Sequence, residues 1–305
     1  MRTDQTFSLE DLRDYRRFER LFRVKQHVGA GADGTVTSFE HIESKEVIAV
    51  KTPHGATSYP SSQLIREVES LKILGKHDHV SCMMAYSRNY FPRAPAIFFQ
   101  SYELGDVEFY RHKVRTQQFE QGKSQRPHEA TLWKLLKDMS LALDYMHNKL
   151  PICYCHNDVK PSNILVAYPA GGRALDGVPM EPVFKLTDFA RMTPFPVPTD
   201  TDPNDYVGTY EYAPNQPEVL TMKPSRDIWS LGATLQWLAL GTHPVQSRES
   251  FIRELEYQGK PLSDKRDRNA WRAALRTVYR PLNVDKDDLF YRHDVLAPPR
   301  ELLRS

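Results

Sequence analysis

The sequence lacks several features that mark particular classes of protein. It has only three cysteines in 305 residues, Cys82, Cys153 and Cys155. A small and odd number of cysteines fits free thiols in a reducing compartment better than a secreted fold held by disulfides. Cys153 and Cys155 have no second Cys/His pair with which to complete a tetrahedral metal site, so we expect them to be structural.

Long apolar runs and a strong net charge are also absent. No run of apolar residues is long enough to span a bilayer. The start of the chain lacks the apolar region of a signal peptide, and Arg2 stands where N-myristoylation requires glycine. Lysine and arginine total 41 against 39 aspartates and glutamates, a net charge of +2, which is too balanced to favour nucleic acid or an anionic membrane as the main partner. We therefore expect an intracellular protein, cytoplasmic or nuclear, without nucleic-acid binding or membrane insertion.

With 40% hydrophobic residues, the chain can bury a full core in one large domain or in two lobes that share a cleft. Strand patterns come first and apolar helical patterns later. We predict strands at 24–28, 35–42, 47–51, 96–100, 164–167 and 183–187, and helices at 63–74, 132–146 and 225–240. This order predicts an α+β fold with a small β-rich N-lobe and a larger helical C-lobe.

Three segments need separate treatment. Residues 7–22 carry apolar residues among many charges, with Ser8 as a helix N-cap, and predict a short amphipathic helix that packs on the following domain. A calmodulin-type target helix is the alternative. Residues 168–182 hold three prolines and three glycines and predict a solvent-exposed insertion, while 194–204 predict a mobile loop. We therefore divide the chain into an N-terminal extension (1–22), an N-lobe with its hinge (23–102) and a C-lobe (103–305).

A glycine-rich stretch follows the first predicted strand, with Gly29, Gly31 and Gly34. Glycines let backbone N–H groups approach phosphates without a Cβ in the way. A dinucleotide-binding loop of the same spacing would lead into a helix, but the residues after Gly34 are of the β type. The stretch therefore predicts a hairpin that covers phosphates.

A lysine at a strand end and a glutamate on the next helix form a second pair. Lys51 closes the third predicted strand, where a cation can pair with the α- and β-phosphates of a nucleotide. Glu67 and Glu69 both lie on the helix that follows. Because Glu69 lies about 200° further round the helix, we expect Glu67 to point at Lys51.

Two later loops carry acidic and amide groups. Asp158 can orient a substrate hydroxyl and accept its proton, Lys160 can reach a γ-phosphate, and Asn163 offers an amide oxygen to magnesium. Asp188 follows a strand and can hold the metal that bridges the β- and γ-phosphates. An ordinary polar loop is a poor alternative, since several ionisable groups between a buried helix and a strand are hard to justify structurally.

In this order the motifs resemble the eukaryotic protein kinase family, and the resemblance covers roughly residues 24–241. It implies an enzyme that uses ATP and Mg²⁺ to phosphorylate protein substrates. The roles it implies are catalytic base for Asp158, catalytic-loop lysine for Lys160, metal ligands for Asn163 and Asp188, and an activating ion pair for Lys51 with Glu67.

The resemblance also implies an acceptor class and an adenine pocket. Lys160 together with Thr209 resembles the serine/threonine branch. The stretch 208–214 resembles the end of an activation segment, and 227–232 the start of a helix that anchors the catalytic loop. The implied ATP-binding residues are Val28, Gly29, Gly31, Gly34, Val36, Ala49, Lys51, Glu67, Gln100, Tyr102 and Leu165, with Phe99 guarding the back of the pocket.

Three positions depart from the family pattern. Asn157 precedes the catalytic aspartate where most members have an arginine that pairs with a phosphate on the activation segment. Ala190 replaces a glycine, and its Cβ restricts positive φ there, so that the hinge is expected to be stiffer. Glu218 follows three extra residues, and Arg280 and Arg292 are both candidates for its ion-pair partner.

Two other functional classes remain as alternatives. A pseudokinase would act by docking, but it usually lacks a residue of the five motif groups, and here all are present. A small-molecule phosphotransferase of the aminoglycoside- or choline-kinase sort shares part of the catalytic loop. The glycine-rich hairpin, Lys160 and the stretch 208–214 argue against it.

Overall fold

The computed structural model describes residues 7–31, 34–54, 58–88, 94–122, 126–172, 177–196, 208–214, 223–245 and 248–260. The chain divides into two compact units, Met1–Glu103 with Thr187–Met192, and Leu104–Leu186 with Thr193–Ser305. The first unit holds a five-stranded sheet and the second is mainly helical. The predicted α+β class, with its β-rich part first, is confirmed.

The sheet of the first unit is antiparallel, with the strand order β1-β2-β3-β5-β4. Its strands are β1 (Phe22–Gly31), β2 (Gly34–His41), β3 (Val47–Thr52), β4 (Met83–Ser87) and β5 (Ala96–Gln100). The predicted strands are present with small shifts of their ends. Strand β4 was missed because its sequence contains no β-branched residue, the main mark of strand propensity.

The two faces of this sheet carry different residues, because side chains alternate along each strand. On β3, Ile48 and Val50 are buried in an apolar cluster that includes Phe98 of β5. Ala49 and Lys51 point to the other face. Helix α3 (Ser58–Leu74) follows β3 and begins earlier than predicted.

Residues 7–22 form two short helices instead of the single predicted one, α1 (Leu9–Arg13) and α2 (Tyr15–Leu21). The break lies at Asp14, which is extended and whose carboxylate accepts the N–H groups at the start of α2. As predicted, Ser8 caps the first helix. A capping aspartate in the middle of the segment ends one helix and begins the next.

Both helices pack on the sheet, as predicted for this segment. Phe18 is 1% exposed, and its ring stacks on that of Phe22 with centroids 4.6 Å apart. It also contacts the rings of Phe39 and Phe98. A calmodulin-type helix would need these apolar side chains to be available, so their burial argues against that alternative.

The second unit contains four helices and two strand pairs within its described residues. The helices are α4 (Val107–Glu120), α5 (Glu129–Asp144), α6 (Ser225–Leu240) and α7 (Arg248–Tyr257). The antiparallel pairs are β6 (Cys153–Cys155) with β9 (Thr193–Phe195), and β7 (Ile164–Ala167) with β8 (Val183–Leu186). Helix α5 starts earlier than predicted and ends in a π-helical turn, Tyr145–Lys149. In the described parts of both units, no helix has the length and apolar character needed to cross a bilayer.

The described part of the insertion at 168–182 is partly exposed, as predicted, with Met180 60% exposed, but hydrogen bonds to α4 and α5 also hold it in place. Tyr110 Oη donates to the carbonyl of Pro179 at 2.6 Å, and Thr131 Oγ1 donates to the carbonyl of Met180. The N–H of Val178 donates to Gln117 Oε1 at 3.0 Å. Prolines cannot satisfy neighbouring carbonyls with their own N–H, so these carbonyls find donors on α4 and α5. Residues 173–176 lie outside the described residues.

Candidate active site

Lys51 is at the centre of a buried charged group in the first unit. Its Nζ lies 2.7 Å from Glu67 Oε2 and 2.8 Å from Asp188 Oδ1. Burial alone would lower the pKa of Lys51, but the charges of the two carboxylates outweigh it and raise that pKa above its usual value. Lys51 is therefore a cation held by two anions. Glu69 pairs instead with Lys72 on the exposed side of α3.

Three elements of the first unit bring these charges together. Strand pairing places Lys51 opposite Val36 on one side and Ile97 on the other, in the middle of the sheet. Helix α3 supplies Glu67 and packs against the short 3₁₀ turn Phe189–Arg191. Ser81 Oγ donates to Thr187 Oγ1 at 2.9 Å. This bond fixes the residue directly before Asp188.

Asp188 has a left-handed backbone, with φ 63° and ψ 73°. This conformation costs a non-glycine residue roughly 1–2 kcal/mol, although aspartate tolerates it better than most. Ala190, by contrast, is buried in the 3₁₀ turn and has no positive φ. The Cβ that distinguishes it from the usual glycine therefore causes no backbone strain in this conformation.

The glycines of the β1–β2 hairpin differ in what requires them. A Cβ on Gly34 would collide with the carbonyl oxygen of Thr52, so the fold itself demands glycine there. A Cβ on Gly29 would meet nothing within 4 Å, and its φ is not positive. The fold does not explain glycine at position 29. An approaching phosphate would, because only glycine leaves the backbone N–H groups uncovered.

The structure places the remaining predicted ATP-binding residues on strands or directly beside them. Val36 and Ala49 lie on the same face of the sheet as Lys51, and Phe99 pairs with Ala49 across the sheet. The Phe99 side chain is 8% exposed. Burial raises the pKa of Tyr102 to about 12. Val28 and Gln100 are exposed, Gly31 ends β1, and Leu165 lies half-buried on β7 in the second unit.

In the second unit, Asp158 is the centre of a closely bonded group. It is 3% exposed. Its Oδ1 accepts the N–H of Thr209 at 2.9 Å and the hydroxyl of Thr209 at 2.8 Å. Its Oδ2 accepts Asn163 Nδ2 at 3.1 Å and lies 3.1 Å from Lys160 Nζ. Lys160 Nζ also donates to Thr209 Oγ1 at 2.9 Å. The structure thus bonds Asp158 and Lys160 directly to Thr209, and Asn163 to Asp158.

Asn163 is oriented by its amide nitrogen. Besides Oδ2 of Asp158, Nδ2 donates to the backbone carbonyl of Asp158 at 2.9 Å. Within the described part of the chain, no group donates to Asn163 Oδ1. An amide oxygen fixed in this way suits a hard cation such as magnesium.

Asp227 at the start of α6 holds the backbone of the loop that carries Asp158. Its two oxygens accept the N–H groups of His156 and Asn157 at 2.7 Å and 2.8 Å, and His147 Nε2 lies 2.9 Å away. Burial alone would raise the pKa of Asp227, but the hydrogen bonds and the neighbouring histidines outweigh it, so that this pKa is lowered. The ionised carboxylate therefore fixes the backbone just before Asp158.

The sequence reasoning missed one residue of this region, Thr193. Asn157 Nδ2 donates to Thr193 Oγ1 at 2.7 Å, and to the carbonyl of Cys155 at 3.2 Å. No local pattern marks a threonine for such a contact, because it depends on the pairing of β6 with β9. Glu218, Arg280 and Arg292 lie outside the described residues, as do Thr199 and Thr201, two threonines of the predicted mobile loop that could be phosphorylated.

Comparison with known proteins gives a consistent family. Residues 22–277 match the family model described as "Protein kinase domain". Serine/threonine-protein kinase PKZ1 of Phytophthora infestans is 30% identical over 244 aligned residues, which cover 73% of this chain and 55% of that protein. Serine/threonine-protein kinase ATG1 of Beauveria bassiana is 25% identical over 283 aligned residues, which cover 77% of this chain and 28% of that protein.

A third relative is named for a different acceptor specificity. The membrane-associated tyrosine- and threonine-specific cdc2-inhibitory kinase wee-1.3 of Caenorhabditis briggsae is 25% identical over 222 aligned residues, covering 72% of this chain and 29% of that protein. The chain thus spans about half the length of the first of these relatives and under a third of the other two.

Proposed function

The chain belongs to the protein kinase family, and from that premise we propose that it is an active enzyme that transfers the γ-phosphoryl group of ATP to serine and threonine hydroxyls of other proteins. Members of this family have the bilobal kinase fold. In this chain the five-stranded unit is the N-lobe and the helical unit is the C-lobe. The observation that carries the proposal is a hydroxyl, that of Thr209, hydrogen-bonded to the carboxylate of Asp158.

We assign Asp158 as the base that orients the acceptor. A substrate hydroxyl would donate to this carboxylate in the way that the hydroxyl of Thr209 does, and would pass its proton to it. Lys160, whose Nζ is 3.1 Å from Oδ2, would offset charge on the phosphoryl group. A carboxylate held by three side chains needs little reorganisation during the reaction, which favours catalysis.

We assign the nucleotide phosphates to the hairpin and Lys51. The support is the unexplained Gly29 and a lysine whose cationic form is stabilised by Glu67 and Asp188. Val36 and Ala49 on the same sheet face as Lys51, together with Gln100 and Tyr102 after β5, would contact the adenosine part. Val28, Gly31, Gly34 and Leu165 complete the proposed ATP set.

Magnesium would be held by Asn163 and Asp188. Both offer oxygen ligands of the kind that this ion prefers, and Asn163 Oδ1 has no hydrogen-bond donor in the described structure. When bound, the ion neutralises charge on the β- and γ-phosphates. The residues present therefore fit the ion that the family implies.

The acceptor class belongs to the proposal and not to the family assignment. Lys160 and Thr209 bond to each other and to Asp158, which supports the serine/threonine branch. PKZ1 and ATG1 are named as serine/threonine kinases, while wee-1.3 is named for tyrosine and threonine. An intracellular location is proposed on the three cysteines, all of which are free.

One experiment tests these assignments together. The purified chain is incubated with γ-labelled ATP, magnesium and a generic protein substrate, and the labelled amino acid is identified, with Asp158→Asn as the matched inactive control. We expect phosphoserine and phosphothreonine with the natural chain alone. Phosphotyrosine would overturn the acceptor class. If the natural chain incorporated no more label than Asp158→Asn, the proposed kinase activity would be wrong, and a role as a docking module would be favoured.

A further inference from the structure

A buried serine contacts the residue directly before Asp188. Ser81 lies between α3 and β4, is 1% exposed and belongs, like Thr187, to the first unit. Its Oγ donates to Thr187 Oγ1 at 2.9 Å. Serine is usually exposed, and burial of its hydroxyl costs free energy unless that hydroxyl is paired. Alanine would pack at this position without that requirement, so the fold alone does not explain the serine.

The bond holds Thr187 beyond the end of a strand pair. The pairing of β7 with β8 ends at Leu186, opposite Ile164, and Thr187 follows it. Thr187 leads directly into Asp188, whose backbone is left-handed with φ 63°. To leave this conformation, Asp188 would have to rotate the peptide that joins it to Thr187. A Thr187 side chain that is bonded to Ser81 resists that rotation.

A left-handed aspartate needs restraint from its neighbours. Such a backbone persists only where the surrounding structure holds it, because it costs a non-glycine residue free energy. On the carboxyl side, Phe189 is fully buried, and the turn that it begins packs against α3. On the amino side, the bond from Ser81 to Thr187 supplies a restraint. Lys51 contacts the carboxylate of Asp188, but the flexible stem of a lysine restrains the direction of that carboxylate less.

We propose that Ser81 is a positioning residue for the magnesium ligand Asp188 and acts on it through Thr187. The inference rests on the proposed function, in which Asp188 binds the ion. The Asp188 side chain is 25% exposed, so an ion can reach it from solvent. A carboxylate that is held in one direction beforehand binds an ion more tightly than one that must first be ordered. The bond from Ser81 therefore favours metal binding and leaves the contacts proposed for ATP itself unchanged.

The first test measures binding and does not need catalysis. ATP is titrated into the full chain by calorimetry with and without magnesium, and the ratio of the two dissociation constants gives the magnesium effect. We expect Ser81→Ala to reduce this ratio about fivefold, the effect of one ordinary hydrogen bond, with an unchanged affinity for ATP alone.

Ser87→Ala is the matched control for this titration. It removes the bond from another buried serine of the same unit, which donates to the carbonyl of Arg13. That bond lies away from Asp188, so we expect Ser87→Ala to keep the magnesium effect. A full magnesium effect in Ser81→Ala, or an equal loss in Ser87→Ala, would overturn the proposal.

Variants of Thr187 test whether Ser81 acts through that residue. Thr187→Val removes the hydroxyl at nearly constant shape, and Thr187→Ser keeps it. We expect Thr187→Ser to keep the magnesium effect, and Ser81→Ala to cause no further loss in a chain that already carries Thr187→Val. A further fivefold loss in that background would mean that Ser81 acts by another route, and would overturn the proposal. So would a Thr187→Ser that shows as small a magnesium effect as Thr187→Val.

Turnover supplies a signature that a merely structural role would not give. At saturating ATP, we expect Ser81→Ala to need about fivefold more free magnesium for half-maximal phosphorylation, and to reach the kcat of the natural chain in excess magnesium. A kcat that stays low at every magnesium concentration would overturn the proposal. If the natural chain phosphorylates no substrate but Ser81→Ala still weakens the magnesium effect on ATP binding, the proposed kinase activity is wrong and the positioning role stands.

Discussion

Thr209 donates twice to one oxygen of Asp158, from its N–H at 2.9 Å and from its hydroxyl at 2.8 Å. The other oxygen faces Asn163 and Lys160. The carboxylate is therefore restrained on both sides. Its rotation is limited before any substrate arrives, and that restraint underlies the first prediction.

Replacing Asp158 by asparagine keeps the shape of the side chain and removes the proton acceptor. We expect kcat to fall by about 10² to 10⁴, the usual contribution of such a group. ATP affinity is expected to change little, since the proposed nucleotide contacts lie elsewhere. Steady-state kinetics and nucleotide titration measure the two quantities. Asp144→Asn, at the exposed end of α5, is the matched control, and near-normal turnover of Asp158→Asn would contradict the assignment.

Replacing Asp188 by alanine removes a proposed magnesium ligand. We expect this variant to lose the magnesium-dependent tightening of ATP binding, because the carboxylate of Asp188 in the natural chain would compensate part of the ion's charge. Calorimetric titrations with ATP, with and without magnesium, measure the effect. Glu69→Ala, which removes an exposed carboxylate on α3, is expected to keep it. The assignment is wrong if Asp188→Ala still shows the metal effect at full size.

Activity is expected to be largely independent of phosphorylation between Phe189 and Tyr212. The neutral amide of Asn157 would bind a phosphate much more weakly than the charged side chain of an arginine would. This amide is also already bonded to Thr193. The enzyme is treated with phosphatase, shown by mass spectrometry to be unmodified in this segment, and assayed. A tenfold or larger fall, restored by rephosphorylation of Thr199 or Thr201, would disprove the expectation.

The N-terminal helices are expected to contribute to the stability of the N-lobe. Phe18→Ala removes a ring that is 1% exposed, and we expect the free energy of unfolding to fall by about 3–5 kcal/mol. Leu9→Ala on the neighbouring helix is the control, since Leu9 is 45% exposed and such changes usually stay within about 0.5 kcal/mol. Urea unfolding measures both. If Phe18→Ala lowered the free energy of unfolding no more than Leu9→Ala does, the N-terminal helices would not contribute to the stability of the N-lobe.

Local sequence patterns predicted several of the site residues, but they did not predict the contacts between residues far apart in the sequence. Helical spacing was enough to choose Glu67 over Glu69, and one short loop carries Asp158, Lys160 and Asn163 with the spacing of a known motif. The contact of Asp188 with Lys51 joins residues far apart in sequence, and the contact of Asn157 with Thr193 depends on strand register. Neither leaves a local signal. The break at Asp14 was missed because the apolar pattern continues across it, while the capping carboxylate competes with the helix backbone.

The burial of Phe18 against the sheet also bears on how this protein behaves in concentrated solution. The family match starts at residue 22, and a fragment cut there would expose Ile48, Val50 and Phe98, which the first two helices now cover. Contiguous apolar surface of this kind promotes self-association. We therefore expect a fragment without the two helices to self-associate more readily than the full chain.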